Sequence, residues 1–125
     1  MGEIDFQRLY ELLDSVLPDA WNKVVFRAEY REGSYSMKYY VKDQTGKYID
    51  CYNLQEITED DIVKAYIEID KVLYPERQKL AADKRWSVLT FSIDSEGKFK
   101  TDFSYADIDA DYLKYIEEWK KKYLA

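Results

Sequence analysis

From Trp86 to Ile93 the side chains alternate without a break, with Trp86, Val88, Thr90 and Ser92 set against Ser87, Leu89, Phe91 and Ile93. Asp94-Ser95-Glu96-Gly97 then has turn chemistry, and Phe99, Thr101, Phe103 and Tyr105 fall on one face of a return strand. A period of two belongs to a half-buried strand and does not map onto one face of a helix. The segment predicts a β-hairpin and commits the chain to an antiparallel sheet.

Three more strands are expected upstream. Val24 to Arg31 and Tyr35 to Val41 flank the turn Glu32-Gly33-Ser34, and Asp43-Gln44-Thr45-Gly46 leads into a third strand within Lys47 to Tyr52. The alternation Arg27, Glu29, Arg31 predicts a wet, polar sheet face. Helical spacing appears elsewhere. Phe6, Leu9, Tyr10, Leu13, Val16 and Leu17 form one stripe, predicting a helix from Ile4 to Leu17 that stops at Pro18. Thr58-Glu59-Asp60-Asp61 resembles a capping box ahead of Ile62, Ala65, Tyr66, Ile69, Val72 and Leu73. Pro75 is expected to end this helix or to start a short second one carrying Leu80 and Ala81. A last helix is expected from near Ile108, with Tyr112, Leu113, Ile116, Trp119 and Tyr123 as its stripe and Lys120-Lys121-Lys122 in its final turn. The expectation is an α+β fold: an antiparallel sheet of about five strands flanked by helices, in the order α-β-β-β-α-β-β-α. Trp86 and Trp119 are expected in the core.

The 125 residues suit a single domain spanning 1–125, and a 46% hydrophobic content is enough for a core without disulfide or metal. Cys51 is the only cysteine, which fits a reducing compartment, and it reads as a packed thiol in a strand. The start, Met1-Gly2-Glu3-Ile4-Asp5, lacks the pattern of a signal peptide, and Phe6 argues against myristoylation at Gly2. No run is long and apolar enough to span a membrane. The expected location is the cytoplasm.

Catalytic signals are scarce. The chain has no histidine, which removes every Ser–His or Cys–His mechanism and the commonest metal ligand. Gly33, Gly46 and Gly97 sit in separate turns and form no phosphate loop. Asp107, Asp109 and Asp111 begin like a calcium loop, but Tyr112 replaces the glycine that such a loop needs at its sixth position. No cofactor and no metal are expected, and the chain is expected not to be an enzyme.

Net charge is −6, from 25 acids against 19 bases, the wrong sign for direct nucleic-acid binding. The 13 tyrosines exceed what so small a core can hide. Acids gather at Asp102, Asp107, Asp109, Asp111, Glu117 and Glu118, interleaved with Tyr105, Tyr112 and Tyr115. A second group is Glu56, Glu59, Asp60 and Asp61. Carboxylates speed encounter with a basic partner and exposed rings anchor it. The partner surface is therefore expected at Asp102, Tyr105, Asp107, Asp109, Asp111, Tyr112, Tyr115, Glu59, Asp60 and Asp61. The acids also serve equally well as helix N-terminal charges with no partner role.

Order and spacing carry a further signal. Leu17-Pro18-Asp19-Ala20-Trp21-Asn22-Lys23-Val24, the pair Tyr39-Tyr40, and Trp86 to Ile93 followed by Gly97-Lys98-Phe99-Lys100 and Asp102-Phe103-Ser104-Tyr105 resemble the YezG-like immunity (antitoxin) proteins of bacterial toxin systems. The likeness runs from about Ile4 to Asp111. The charged segment Tyr74 to Arg85 and the short lysine-ended C-terminal helix depart from the pattern. The resemblance implies a cytoplasmic protein that binds a cognate toxin delivered between cells, often a basic nuclease domain, in stoichiometric fashion. A general interaction adaptor and a carboxylate enzyme using a divalent metal remain the alternatives.

Overall fold

The computed structural model describes residues 3–125. Met1 and Gly2, on which the readings of the chain start rest in part, lie outside them. Elements follow in the order α1 (Phe6–Asp14), β1 (Lys23–Arg31), β2 (Ser34–Lys42), β3 (Tyr48–Asp50), α2 (Glu59–Gln78), β4 (Val88–Asp94), β5 (Phe99–Ser104) and α3 (Tyr112–Tyr123). This is the expected α-β-β-β-α-β-β-α order. The strands form one antiparallel sheet in the order β3-β2-β1-β4-β5, so β1 is central.

Each face of the sheet has its own cover. Val24, Phe26, Ala28, Met37, Tyr39, Val41, Leu89, Phe91 and Ile93 join Leu9 and Leu13 of α1 and Ile62, Ile69 and Leu73 of α2 in the main core. The Tyr39 hydroxyl donates to Val16 O across 2.6 Å and ties β2 to the chain after α1. On the other face, α3 packs Trp119, Tyr115 and Tyr123 on Val25 and Tyr40.

That second layer corrects the expected wet face. Arg27 is 6% exposed and Glu29 only 1%. The alternation does mark a polar face, but α3 lies over it, because a stripe of tyrosines and a tryptophan can bury its rings while its hydroxyl and indole N–H groups meet polar partners. Trp119 Nε1 donates to Thr90 Oγ1 at 2.9 Å.

Several boundaries also move. The first helix covers Phe6–Asp14 rather than running to Leu17. The Ser15 hydroxyl donates to Leu12 O at 2.6 Å, and the chain tightens into shorter-range bonds before Pro18 while Val16 and Leu17 stay buried. The third strand is only Tyr48–Asp50, because the Asp50 side chain caps a 3-10 turn at Cys51–Asn53. Cys51 thus leaves the strand, yet its thiol is buried 3.4 Å from the Tyr66 hydroxyl. Pro75 lies inside α2, which continues to Gln78. It forfeits a single backbone bond near the helix end, while Leu73 before it is buried and Arg77 after it is tied to Trp86 O at 2.7 Å. Thr58 caps this helix as expected, accepting from Asp61 N at 3.2 Å. The last helix begins at Tyr112, not near Ile108, with Asp111 as its N-cap.

Trp86 departs from the alternation as well. Ser87 N donates to Ser104 O, the residue that Val88 opposes in the ladder. Two residues of one strand thus meet one of the next, a β-bulge. The extra residue turns Trp86 to the face of Leu89 and Phe91, where it is buried in the main core as expected of it.

The packed tyrosines give a pH expectation. Burial raises the phenol pKa of Tyr39 and Tyr66 above the ordinary value of 10.0, with nearby Cys51 adding to the shift. A raised folded pKa means this stabilisation is complete below about pH 10 and is lost as pH rises through the folded values. Alkaline titration should show these phenols ionising in one step that coincides with unfolding, as read by ultraviolet absorbance alongside circular dichroism. Gradual ionisation with the fold intact would contradict the packing.

Candidate functional site

The candidate partner surface lies where β5, the segment after it and the start of α3 meet the end of β1. Its geometry is set from beneath by Glu29. Arg27 Nε lies 3.0 Å from Glu29 Oε2 and Arg31 Nη2 lies 3.5 Å from Oε1. The Ser36 hydroxyl donates to Oε1 at 2.8 Å, and the Tyr112 hydroxyl sits 2.9 and 3.2 Å from the two oxygens. A carboxylate removed from water needs this much donation to remain charged. The Arg27 guanidinium lies over the Trp119 ring, 4.5 Å from its centroid. Arg27 Nη1 and the Tyr115 hydroxyl are buried with no hydrogen-bond partner among the described residues. Burial first, then the Glu29 charge, raises the Tyr115 pKa.

Arg31 carries the network outward. Its Nε reaches both Asp109 oxygens, at 2.9 and 3.0 Å, and this bond is the first cause of its raised pKa. The guanidinium also faces the Tyr112 ring at 5.4 Å. The segment Tyr105 to Asp111 is therefore fastened at Asp109, at buried Ile108 and at the N-cap of α3.

The acidic residues singled out in the sequence divide by task. Asp109 pairs with Arg31. Asp107 accepts from Asp109 N at 3.1 Å, and Asp111 accepts from Lys114 N at 3.2 Å. Asp102 accepts from the Tyr123 hydroxyl at 2.9 Å; burial and this carboxylate push the Tyr123 phenol up to about 12. Tyr112 and Tyr115 face Glu29, and Tyr115 is only partly exposed. Tyr105, by contrast, is 63% exposed. Glu59, Asp60 and Asp61 sit exposed in the first turn of α2, on the other face of the sheet. The sheet thus separates the two acidic groups into two surfaces.

Sequence reasoning passed over the residues that organise this site. Arg27, Glu29 and Arg31 read as solvated, although three alternating charges on the central strand of a sheet signal a buried network once a helix with polar-tipped aromatics is available to cover them. Leu113, expected in the helical stripe, is 77% exposed on α3 instead. Among the described residues, no group of three or more acidic or cysteine side chains is arranged to hold a metal ion. No helix there is long and apolar enough to cross a membrane.

The family described as "Immunity protein YezG-like" matches residues 4–125. The chain belongs to the YezG-like immunity protein family. Two curated relatives agree. An "Immunity protein YezG" from Bacillus subtilis (strain 168) is 27% identical over 135 aligned positions, covering 95% of this chain and 85% of the relative. Another from Bacillus spizizenii is 24% identical over 119, covering 90% of this chain and 73% of the relative. The YezG-like match extends past Asp111 to the end of the chain, so it includes α3 and the layer that closes over Glu29.

Proposed function

We propose that this chain neutralises a cognate protein toxin, a basic nuclease domain delivered between cells, by stoichiometric binding in the cytoplasm. Membership of the YezG-like family supports a toxin as the partner. The observation that carries the choice of surface is the fastened acidic segment: Asp107 and Asp111 are exposed in it with Tyr105, and Glu117, Glu118 and Leu113 are exposed on the helix that follows, over the Glu29 network. Opposite charge accelerates encounter with a basic domain, and exposed rings held on a rigid base lose little entropy on docking. The groove of a nuclease is basic because its substrate is polyanionic, so an acidic surface of this kind fits over it.

Glu117 and Glu118 make no ion pair among the described residues, so they test the surface without disturbing the fold. In stopped-flow mixing with a toxin domain that co-purifies with the chain, E117K/E118K should slow association about tenfold at low salt and flatten its salt dependence. Tyr105→Ala should leave stability unchanged and weaken binding by about 2 kcal/mol. Wild-type association by both variants would remove this face from the proposal. Failure of the toxin to co-elute with the chain in a one-to-one complex would overturn it altogether.

A further inference from the structure

The chain contains five arginines. Three of them, Arg8, Arg27 and Arg31, pair with carboxylates. Arg77 and Arg85 have no carboxylate within 4.0 Å among the described residues, in a protein of net charge −6. Both line a cavity of about 460 Å³ at the C-terminal end of α2, together with Arg31, Tyr74, Gln78 and Glu32. That volume lies in the range of small-molecule sites, roughly 300–1,000 Å³.

Both guanidiniums are held by the protein at two nitrogens, Arg77 also through Nη1, 3.5 Å from Gln78 Oε1. Arg77 Nε donates to Trp86 O at 2.7 Å, and its plane lies near the Tyr30 and Trp86 rings, 5.5 and 5.7 Å from their centroids. Arg85 Nε donates to Leu80 O at 3.1 Å and its Nη2 to Gln78 O at 3.0 Å. These bonds fix the side chains and leave Arg77 Nη2 and Arg85 Nη1 without a protein partner among the described residues. Such anchoring is the preorganisation a binding site requires, because little side-chain freedom remains to be lost. Burial first, and then the like charge of Arg85, lowers the Arg77 pKa, and a bound anion relieves both effects.

We propose that this cavity binds a phosphate group, held by Arg77 and Arg85. A dianion matches two guanidiniums that lack an ion-pair partner, whereas a single carboxylate would leave one charge unmatched, and Arg77 Nη2 and Arg85 Nη1 each offer a charge-assisted donor to a phosphate oxygen. Arg31 is already engaged by Glu29 and Asp109 and supplies background field only. Tyr74, 48% exposed on the wall, offers a ring face to a base if the phosphate belongs to a mononucleotide. The two phosphate-binding arginines lie outside the toxin-facing surface, and Arg31 alone borders both.

The test is a titration of the full chain with inorganic phosphate at constant ionic strength, followed by NMR on the Nε–H signals of Arg77 and Arg85. Saturation is expected with a Kd on the order of 1 mM, the range that a pair of charge-assisted hydrogen bonds supports. Arg85→Gln should weaken it roughly tenfold with an unchanged circular dichroism spectrum. Arg85→Lys, which keeps the charge and loses the anchored geometry of the guanidinium, should fall between the two and covers the case in which the glutamine variant unfolds. Adenosine monophosphate binding more tightly than phosphate identifies a nucleotide as the source, and equal binding identifies free phosphate. A linear response, an equal response to chloride, or undiminished binding in both Arg85 variants overturns the proposal.

Discussion

Replacing Glu29 by leucine will destabilise the chain by about 3–5 kcal/mol, the range for breaking a buried ion pair by removing one partner. The cost arises from what is left behind. Arg27, already short of one partner at Nη1, would keep its charge in a covered site with no carboxylate beside it. Ser36 and Tyr112 would lose their acceptor. The double variant R27M/E29L removes the stranded charge together with its partner and should recover most of the loss, since apolar replacement of a whole buried pair is often neutral. Urea unfolding of the wild type, the single and the double variant checks both statements. Equal destabilisation of single and double would show that the shape of Glu29, not its charge, matters.

Trp119→Ala should cost a similar amount, about 3–5 kcal/mol, as expected for emptying a buried tryptophan site. Four contacts go at once: the stack on Arg27, the ring contacts with Tyr40 at 5.7 Å and Tyr123 at 5.2 Å, and the hydrogen bond to Thr90. The loss should be local. The main core under α1 and α2 shares no side chain with the α3 layer, so amide exchange should accelerate across α3 while β1, β2 and α2 remain protected. Uniform acceleration through the whole chain would mean that the two layers unfold as one unit. Because α3 holds Glu117 and Glu118 and its N-cap Asp111 belongs to the proposed surface, the same variant should bind toxin more weakly than Tyr105→Ala does.

The strands and the main core were legible because period-two and period-3.6 patterns report directly on burial. The hairpin at Trp86 to Tyr105 and the cap at Thr58 are instances. Departures cluster where a local rule met a tertiary contact. Pro75 stays helical because its neighbours are anchored on both sides, and Trp86 changes face because one extra residue enters the strand at Ser87. The buried charges were the largest omission. Hydropathy ranks Arg27 and Glu29 as solvated, and only a pairing between distant segments, the aromatic stripe of α3 with the central strand, removes them from water. Residue type alone could not distinguish the acids fastened in place, such as Asp109, from the exposed and unpaired Glu117 and Glu118, since the difference lies in whether an arginine from another strand reaches them.

The division of the molecule by its sheet has a consequence for how such a chain can change over generations. The larger apolar core lies on one side, beneath α1 and α2, and a smaller one, Val25, Tyr40 and Trp119, lies under α3. The outward row of α3 and the segment before it lie on the other, held by a few polar fasteners, and side chains such as Tyr105, Leu113 and Glu117 touch neither core. Substitutions there carry little penalty in stability, so if the proposed toxin-facing surface is the working one, a lineage could follow a changing toxin by small steps without first acquiring stabilising changes elsewhere. The scaffold is tolerant where its partner demands novelty and strict where folding demands constancy.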